Sequence, residues 1–369
     1  MKTVAFFVNM PSPYRINFFN LLGQYCNLYV FFEMDKSRSR DNSWQSYNFK
    51  NFHPIFLKGV SYSGEAAFCP SIIKKYKIIK PDVNVVCNIS SLTGLKLLRY
   101  FIKKKIDYIV EGDGGFEKKC STIKRRIKEK IFKNAIKLLY TSDEHKKYLI
   151  SYGADEEKLF HYPFSSIFES EIINEEDIDK TKNKAKANLG LSKFTFLSVG
   201  RFLDWKNFET TIEAFKSVDS KADLVIIGGS PTNSYINLIK QHNIKNIKFL
   251  PFMNKEELYK YMQASDCFVF SSTQDIWGLV INEAMANALP ILSSTGTLSA
   301  VEMANQNNGI MLFESKDKER LSKLMNLVIN MNDVERKDMI KNNLKKIHSY
   351  TLENMCKYHV DYLLSDSQK

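Results

Sequence analysis

Short apolar runs, each followed by a stretch with helical spacing, recur through both halves of the chain. TVAFFV (3–8) and DYIV (107–110) occur in the first half; FTFLSV (194–199), the strand and turn DLVIIGGS (223–230), IKFL (247–250) and FVF (268–270) occur in the second. Runs this short, closed by glycine, proline or small polar residues, are buried strands. Strands that alternate with helices need crossover connections, which give parallel sheets with helices on their faces. The alternation happens twice, and 369 residues with 44% hydrophobic side chains exceed what one core usually holds and can fill two. The expected fold is therefore α/β, with two doubly wound Rossmann-like domains facing each other across a cleft. The first spans 1–165 and the second 191–348. Residues 166–190, which include the charged stretch EIINEEDIDKTKNKAKANLG, read as a linker or connector helix, and 349–369 as a final helix with Leu352, Met355, Tyr358 and Leu363 recurring about every turn.

The segment SSTQDIWGLVINEAMA (271–286) carries the chemistry most plainly. It follows the strand FVF and places Asp275 and Glu283, with seven residues between them, at what reads as a strand end and the first turns of a helix. The first amides of a helix lack intrahelical partners and its dipole favours negative charge, so the N–H groups of Trp277, Gly278 and Leu279 suit a diphosphate. Asp275 either accepts from sugar hydroxyls or merely caps the helix. Glu283 either accepts from ribose hydroxyls or pairs with a surface cation. A second segment, SVGRFLDWKNFETTIEAF (198–215), sets Gly200, Arg201 and Lys206 after the strand FTFLSV. Arg201 suits bidentate contact with phosphate oxygens and Lys206 a point charge, although two such cations also fit a solvated turn.

These pieces, with NIKFLPFMNKEELYKYMQASDCFVFSS (246–272), resemble glycosyltransferase family 4, the retaining enzymes of the GT-B fold. The resemblance covers the C-terminal half; NMPSPYRINFFNLL (9–22), EGDGGF (111–116) and HYPFSSI (161–167) are similar to members from bacterial capsular and exopolysaccharide assembly. The family usually has glutamate at both acidic positions, whereas this chain has the shorter Asp275. The resemblance implies a hexosyltransferase that moves a sugar from a nucleoside diphosphate to a glycan or polyprenyl-diphosphate-linked acceptor, without a metal or other cofactor. Arg201, Lys206, Asp275 and Glu283 become its catalytic set. Gly200, Gly228, Gly229, Phe252, Met253, Trp277, Gly278 and Leu279 become donor contacts, Phe252 having a core reading as well. Tyr14, Arg15, Glu111 and Asp113 become acceptor contacts, with an ordinary turn as the alternative for the EGDGGF stretch. In this fold the last helix usually crosses back to the first domain.

Charge supports a surface role for the first half. Residues 1–165 hold 28 Lys and Arg against 15 Asp and Glu, and the remainder 25 against 26, within a net charge of +12. The excess gathers in KKYK (74–77), KKK (103–105) and KKCSTIKRRIKEKIFKNAIK (118–137), where Ile123, Ile127, Ile131 and Phe132 recur at helical spacing. Either the isoleucines face the core, or the helix lies against an anionic membrane. The chain has no apolar run of spanning length and no secretory pattern, so the expectation is a cytoplasmic protein held peripherally at the inner face of the cell membrane. The six cysteines include no Cys-x-x-Cys pair, which argues against a zinc site or a disulfide framework. Nucleic acid is not an expected partner, because the basic stretches lack interleaved aromatics for base stacking. A sugar-nucleotide-binding scaffold without catalysis and a basic nucleic-acid-binding protein are the alternatives.

Overall fold

The computed structural model describes residues 1–36, 47–117, 120–218, 220–304 and 309–365. It divides into two compact units, Met1–Ser165 with Thr351–Lys369, and Ser166–Tyr350. Lys118 and Lys119 of the basic run lie outside the described residues.

The strands of unit 1 are β1 (Thr3–Val8), β2 (Asn27–Phe32), β3 (His53–Phe56), β4 (Val60–Ser63), β5 (Ala66–Phe68), β6 (Val83–Val86), β7 (Ile109–Glu111), β8 (Lys137–Tyr140) and β9 (Leu159–His161). Seven of them form one sheet in the order β3-β2-β1-β6-β7-β8-β9, and β4 and β5 make a separate antiparallel pair. Every pairing in the large sheet is parallel. Both faces of such a sheet are covered, so β1 is apolar at consecutive positions rather than alternating. Phe7 and Ala5 enter the core built with Tyr76, Phe101 and Phe132, while Phe6 on the opposite face meets the rings of Phe18 and Phe19. The helices are α1 (Pro13–Leu22), α2 (Ile72–Ile79), α3 (Leu92–Lys104), α4 (Thr122–Asn134) and α5 (Asp143–Ser151). Serines 91, 121 and 142 start the last three by accepting a backbone N–H from the first turn.

Unit 2 contains β10 (Phe194–Val199), β11 (Ala222–Ile227), β12 (Ile247–Leu250), β13 (Cys267–Phe270), β14 (Ile291–Ser294) and β15 (Ile310–Phe313). These strands form a six-stranded sheet in the order β12-β11-β10-β13-β14-β15, parallel throughout. Its helices are α6 (Ile178–Leu189), α7 (Phe208–Phe215), α8 (Asn233–Gln241), α9 (Lys255–Ala264), α10 (Leu279–Ala286), α11 (Leu298–Met303), α12 (Lys318–Asn330) and α13 (Asp333–Ile347). The polar α6 buries Ala185 alone of its residues. It is fastened by Lys182 and Lys186, whose ammonium groups lie 2.8 and 2.5 Å from Asp266. The last helix, α14 (Leu352–Leu364), belongs to unit 1 and packs on α1.

Each sheet begins in its middle. The first strand of unit 1, β1, sits between β2 and β6, and the first strand of unit 2, β10, between β11 and β13. Winding reverses at those points, so the turns leaving the two central strands diverge and open a crevice at their carboxyl ends, where ligands of open α/β sheets bind.

Candidate functional site

In unit 2 the crevice is flanked by the turns after β10 and β13, and a run of small hydroxyl residues staples them together. Asn207 donates its side-chain amide to the carbonyl of Ser271 at 3.1 Å, and Ser271 returns its hydroxyl to the carbonyl of Asn207 at 2.7 Å. The amide of Thr273 and the hydroxyl of Ser272 both donate to the carbonyl of Trp205, at 2.7 and 2.8 Å. These bonds carry Lys206 across to Asp275, with Nζ 2.5 Å from Oδ2 and 4.6 Å from the centre of the Phe270 ring. Sixty-nine residues separate the two charges in sequence. Arg201 leaves the same β10 turn on the exposed side.

The β11 turn fits against this one because its first residue is glycine: a Cβ on Gly228 would stand 1.8 Å from the carbonyl oxygen of Gly200. Gly200, Gly228 and Gly229 therefore line adjoining strand ends. Phe252 and Met253 follow β12, the next strand outward, and are half-buried.

Asp275 lies before α10 and Glu283 in its second turn, with about one turn of helix between them. The helix α10 begins at Leu279, after Gly278 in the left-handed region with φ 86° and ψ 61°. Asp275 precedes that kink and is held like a strand residue: its N–H donates to the carbonyl of Gly296 at 2.7 Å, and it forms a single parallel bridge with Thr297. Its carboxylate meets Lys206 and does not cap the helix. Trp277 is buried, donating Nε1–H to Asn282 at 3.0 Å and stacking on Tyr350, so of its groups only the backbone suits a ligand.

Glu283 belongs to a second polar group that the sequence reading did not assemble. Its Oε1 accepts from the hydroxyl of Ser166 at 3.1 Å. Lys255, at the start of α9, donates to the carbonyl of Ser166 at 2.9 Å and to Glu171 at 2.6 Å. Burial raises the pKa of the Glu283 carboxyl above the ordinary range, against the pull of Lys255 and the Ser166 hydrogen bond. Ser166 lies 117 residues from Glu283, and no local spacing links them.

In unit 1 the expected acceptor residues close on one another. Arg15, in the first turn of α1, pairs with both Glu111 and Asp113 and lies 5.3 Å from the Phe164 ring centre. From α14, Nε2 of His359 stands 3.1 Å from Glu111, and its Nδ1 stands 2.8 Å from the carbonyl of Met355. Tyr162 donates to the carbonyl of Gly112 at 3.0 Å. Glu111 is 1% exposed; burial by itself would raise its pKa, but Arg15 and His359 overcome that and hold it at about 2. Arg15 and Glu111, expected as acceptor contacts, are both buried and in mutual contact. Tyr14, edge-on to Phe164 at 5.7 Å, and Asp113 are half-buried at the rim. His359 went unnoticed in the sequence because a helical histidine among apolar neighbours reads as core.

Residues 179–346 match the family described as glycosyl transferases group 1. An uncharacterised glycosyltransferase of Methanocaldococcus jannaschii is 31% identical over 134 residues, which is 33% of either chain. The N-acetylgalactosamine-N,N'-diacetylbacillosaminyl-diphospho-undecaprenol 4-alpha-N-acetylgalactosaminyltransferase of Campylobacter jejuni is 28% identical over 145 residues, 39% of either chain. The matches thus span between a third and two fifths of these relatives. The crystal structure of Anabaena HepE in complex with UDP aligns over 98% of this chain and 99% of that one, with TM-score 0.77 and 15% identity. Likeness of that extent gives unit order and topology together: the fold is GT-B.

Proposed function

We propose, from the premise that residues 179–346 form a group 1 glycosyltransferase domain, that this protein transfers a sugar from a nucleoside diphosphate to a hydroxyl of a glycan acceptor, with retention at the anomeric carbon. The observation that carries this reading is the joining of Lys206 to Asp275 at the point where the sheet of unit 2 reverses its winding. A cation and an acid at that crevice match a diphosphate and the sugar attached to it. Arg201 and Lys206 neutralise the charge that develops on the departing diphosphate, with no metal ion required, and the amides around Gly278 add to them. Asp275 orients the sugar hydroxyls and Glu283 accepts from the ribose. Retention follows from same-face departure and attack, in which the leaving diphosphate helps to take the proton of the acceptor hydroxyl; catalysis is then mainly positioning and electrostatic stabilisation.

We assign acceptor recognition to unit 1 and take the acceptor to be a lipid-linked glycan of cell-surface polysaccharide assembly. Two features of α4 support a membrane-side acceptor. Ile131 and Phe132 are buried in the core, whereas Ile123 and Ile127, one turn apart, are 72% and 40% exposed among lysines and arginines. Among the described residues, no helix is long and apolar enough to cross a membrane, and contact through this face is peripheral.

The test is a thermal-shift panel of UDP, GDP, CMP, dTDP and their sugar derivatives, since a ligand bound to the native state raises its melting temperature. One diphosphate is expected to stabilise the protein, with the effect lost in Arg201→Ala and Glu283→Ala. Arg201→Ala is further expected to lower turnover about 100-fold, as removal of an oxyanion donor does. A panel without any response overturns the donor reading.

A further inference from the structure

Tyr259, in the second turn of α9, has its hydroxyl buried with no hydrogen-bond partner among the described residues. Buried phenols are ordinarily paired, so an orphaned one points to a group that arrives from outside. Its neighbours belong to the Glu283 group. The carboxylates of Glu283 and Glu171 are the charges that act on it, and Lys255, one helical turn back, has its ammonium 5.3 Å from the ring centre. Lys255 and Glu171 are joined at 2.6 Å, which leaves that wall neutral. Ser166 takes one of the several acceptor positions of Glu283 and fixes its orientation. What remains is a carboxylate able only to accept beside a phenol able to donate and accept.

We propose that Tyr259 reads the nucleoside of the donor, hydrogen-bonding one hydroxyl of the ribose diol whose other hydroxyl donates to Glu283. A vicinal diol supplies two donors and two acceptors at adjacent carbons, and the pair Glu283 and Tyr259 answers it with complementary chemistry. The site then selects ribonucleotides over 2'-deoxy and 3'-deoxy ones, because a missing hydroxyl leaves a buried protein group unpaired again. This inference rests on the reading of Glu283 as the ribose acceptor.

The experiment is calorimetric titration of the full chain with UDP or GDP, whichever stabilises it in the thermal panel, and with the 2'-deoxy and 3'-deoxy forms of that nucleotide. Tyr259→Phe removes one oxygen from the protein and no packing volume, so its unliganded melting temperature should equal or exceed that of the parent. Affinity for the ribonucleotide should fall about tenfold, while affinity for one of the two deoxy forms stays unaltered, so that discrimination against that form collapses. Equal weakening of all three nucleotides, or of none, overturns the assignment and marks Tyr259 as water-paired core. Glu283→Gln separates the two readings. If it leaves all affinities unaltered, the donor reading falls and this inference with it; if it weakens binding while Tyr259→Phe does not, only the role of Tyr259 falls.

Discussion

Glu111 holds a charge in the interior of unit 1 because Arg15 and His359 converge on it, and that arrangement makes stability depend on pH in a definite direction. Its folded pKa, about 2, lies below the ordinary 4.5. A depressed carboxyl contributes stability that is fully present above the unfolded value and is lost as pH falls through the folded one, so the contribution fades between about pH 4.5 and 2. Glu111→Gln is expected to lower the urea midpoint at neutral pH, since it leaves the buried guanidinium of Arg15 with Asp113 as its one remaining carboxylate, at a cost of up to about 3–5 kcal/mol. The same variant should flatten the decline of that midpoint across the acid window; an unaltered slope would mean that another carboxyl sets it. Such contacts were only partly legible beforehand. Lys206 and Asp275 were both identified, since each follows a strand and strand ends converge in this architecture. The partnership of Glu111 with His359 was not, because 248 residues separate them and neither side chain has a local pattern that demands the other.

At the scale of elements, strands were legible and helix starts less so. TVAFFV and FTFLSV coincide with β1 and β10, because buried parallel strands are continuous apolar runs, and IKFL coincides with β12, the half-buried edge strand that exposes Lys248. The start of α10 was misplaced by two residues, since Trp277 has a helical partner in Asn282 yet lies outside the helix. The kink at Gly278 explains this and carries a prediction. Its φ of 86° disfavours any other residue, and an added Cβ would lie 2.8 Å from the methyl of Thr297. Gly190, with φ 66° and nothing within 4 Å of its added Cβ, has the strain without the clash. Gly190→Ala should therefore cost about 1 kcal/mol in urea unfolding, and Gly278→Ala clearly more. If Gly278 is the pivot that aims α10 at the diphosphate, its alanine variant should also lose the nucleotide-induced rise in melting temperature that Gly190→Ala retains.

For the whole molecule, the uneven charge predicts where it resides. The first 165 residues carry net +13 and the remainder −1, and each cation close to an anionic bilayer contributes about 1 kcal/mol. Flotation with phosphatidylcholine vesicles containing phosphatidylglycerol should carry the protein upward at low salt and release it as salt rises, since screening removes that attraction. Ile123→Ser with Ile127→Ser should reduce the bound fraction about tenfold at fixed salt by removing apolar insertion. Absence of flotation at low salt would refute the membrane-side placement. The order of units along the chain has a further consequence, for biosynthesis. Unit 1 takes its last helix from Thr351–Lys369, after all of unit 2, and on a ribosome adding about 5–20 residues per second it waits many seconds for that helix. During the wait Phe6, Phe18 and the charged Glu111, later in contact with His359, face solvent or a chaperone. The second unit, encoded without interruption, can mature ahead of the first, and the polypeptide is assembled from its middle outward.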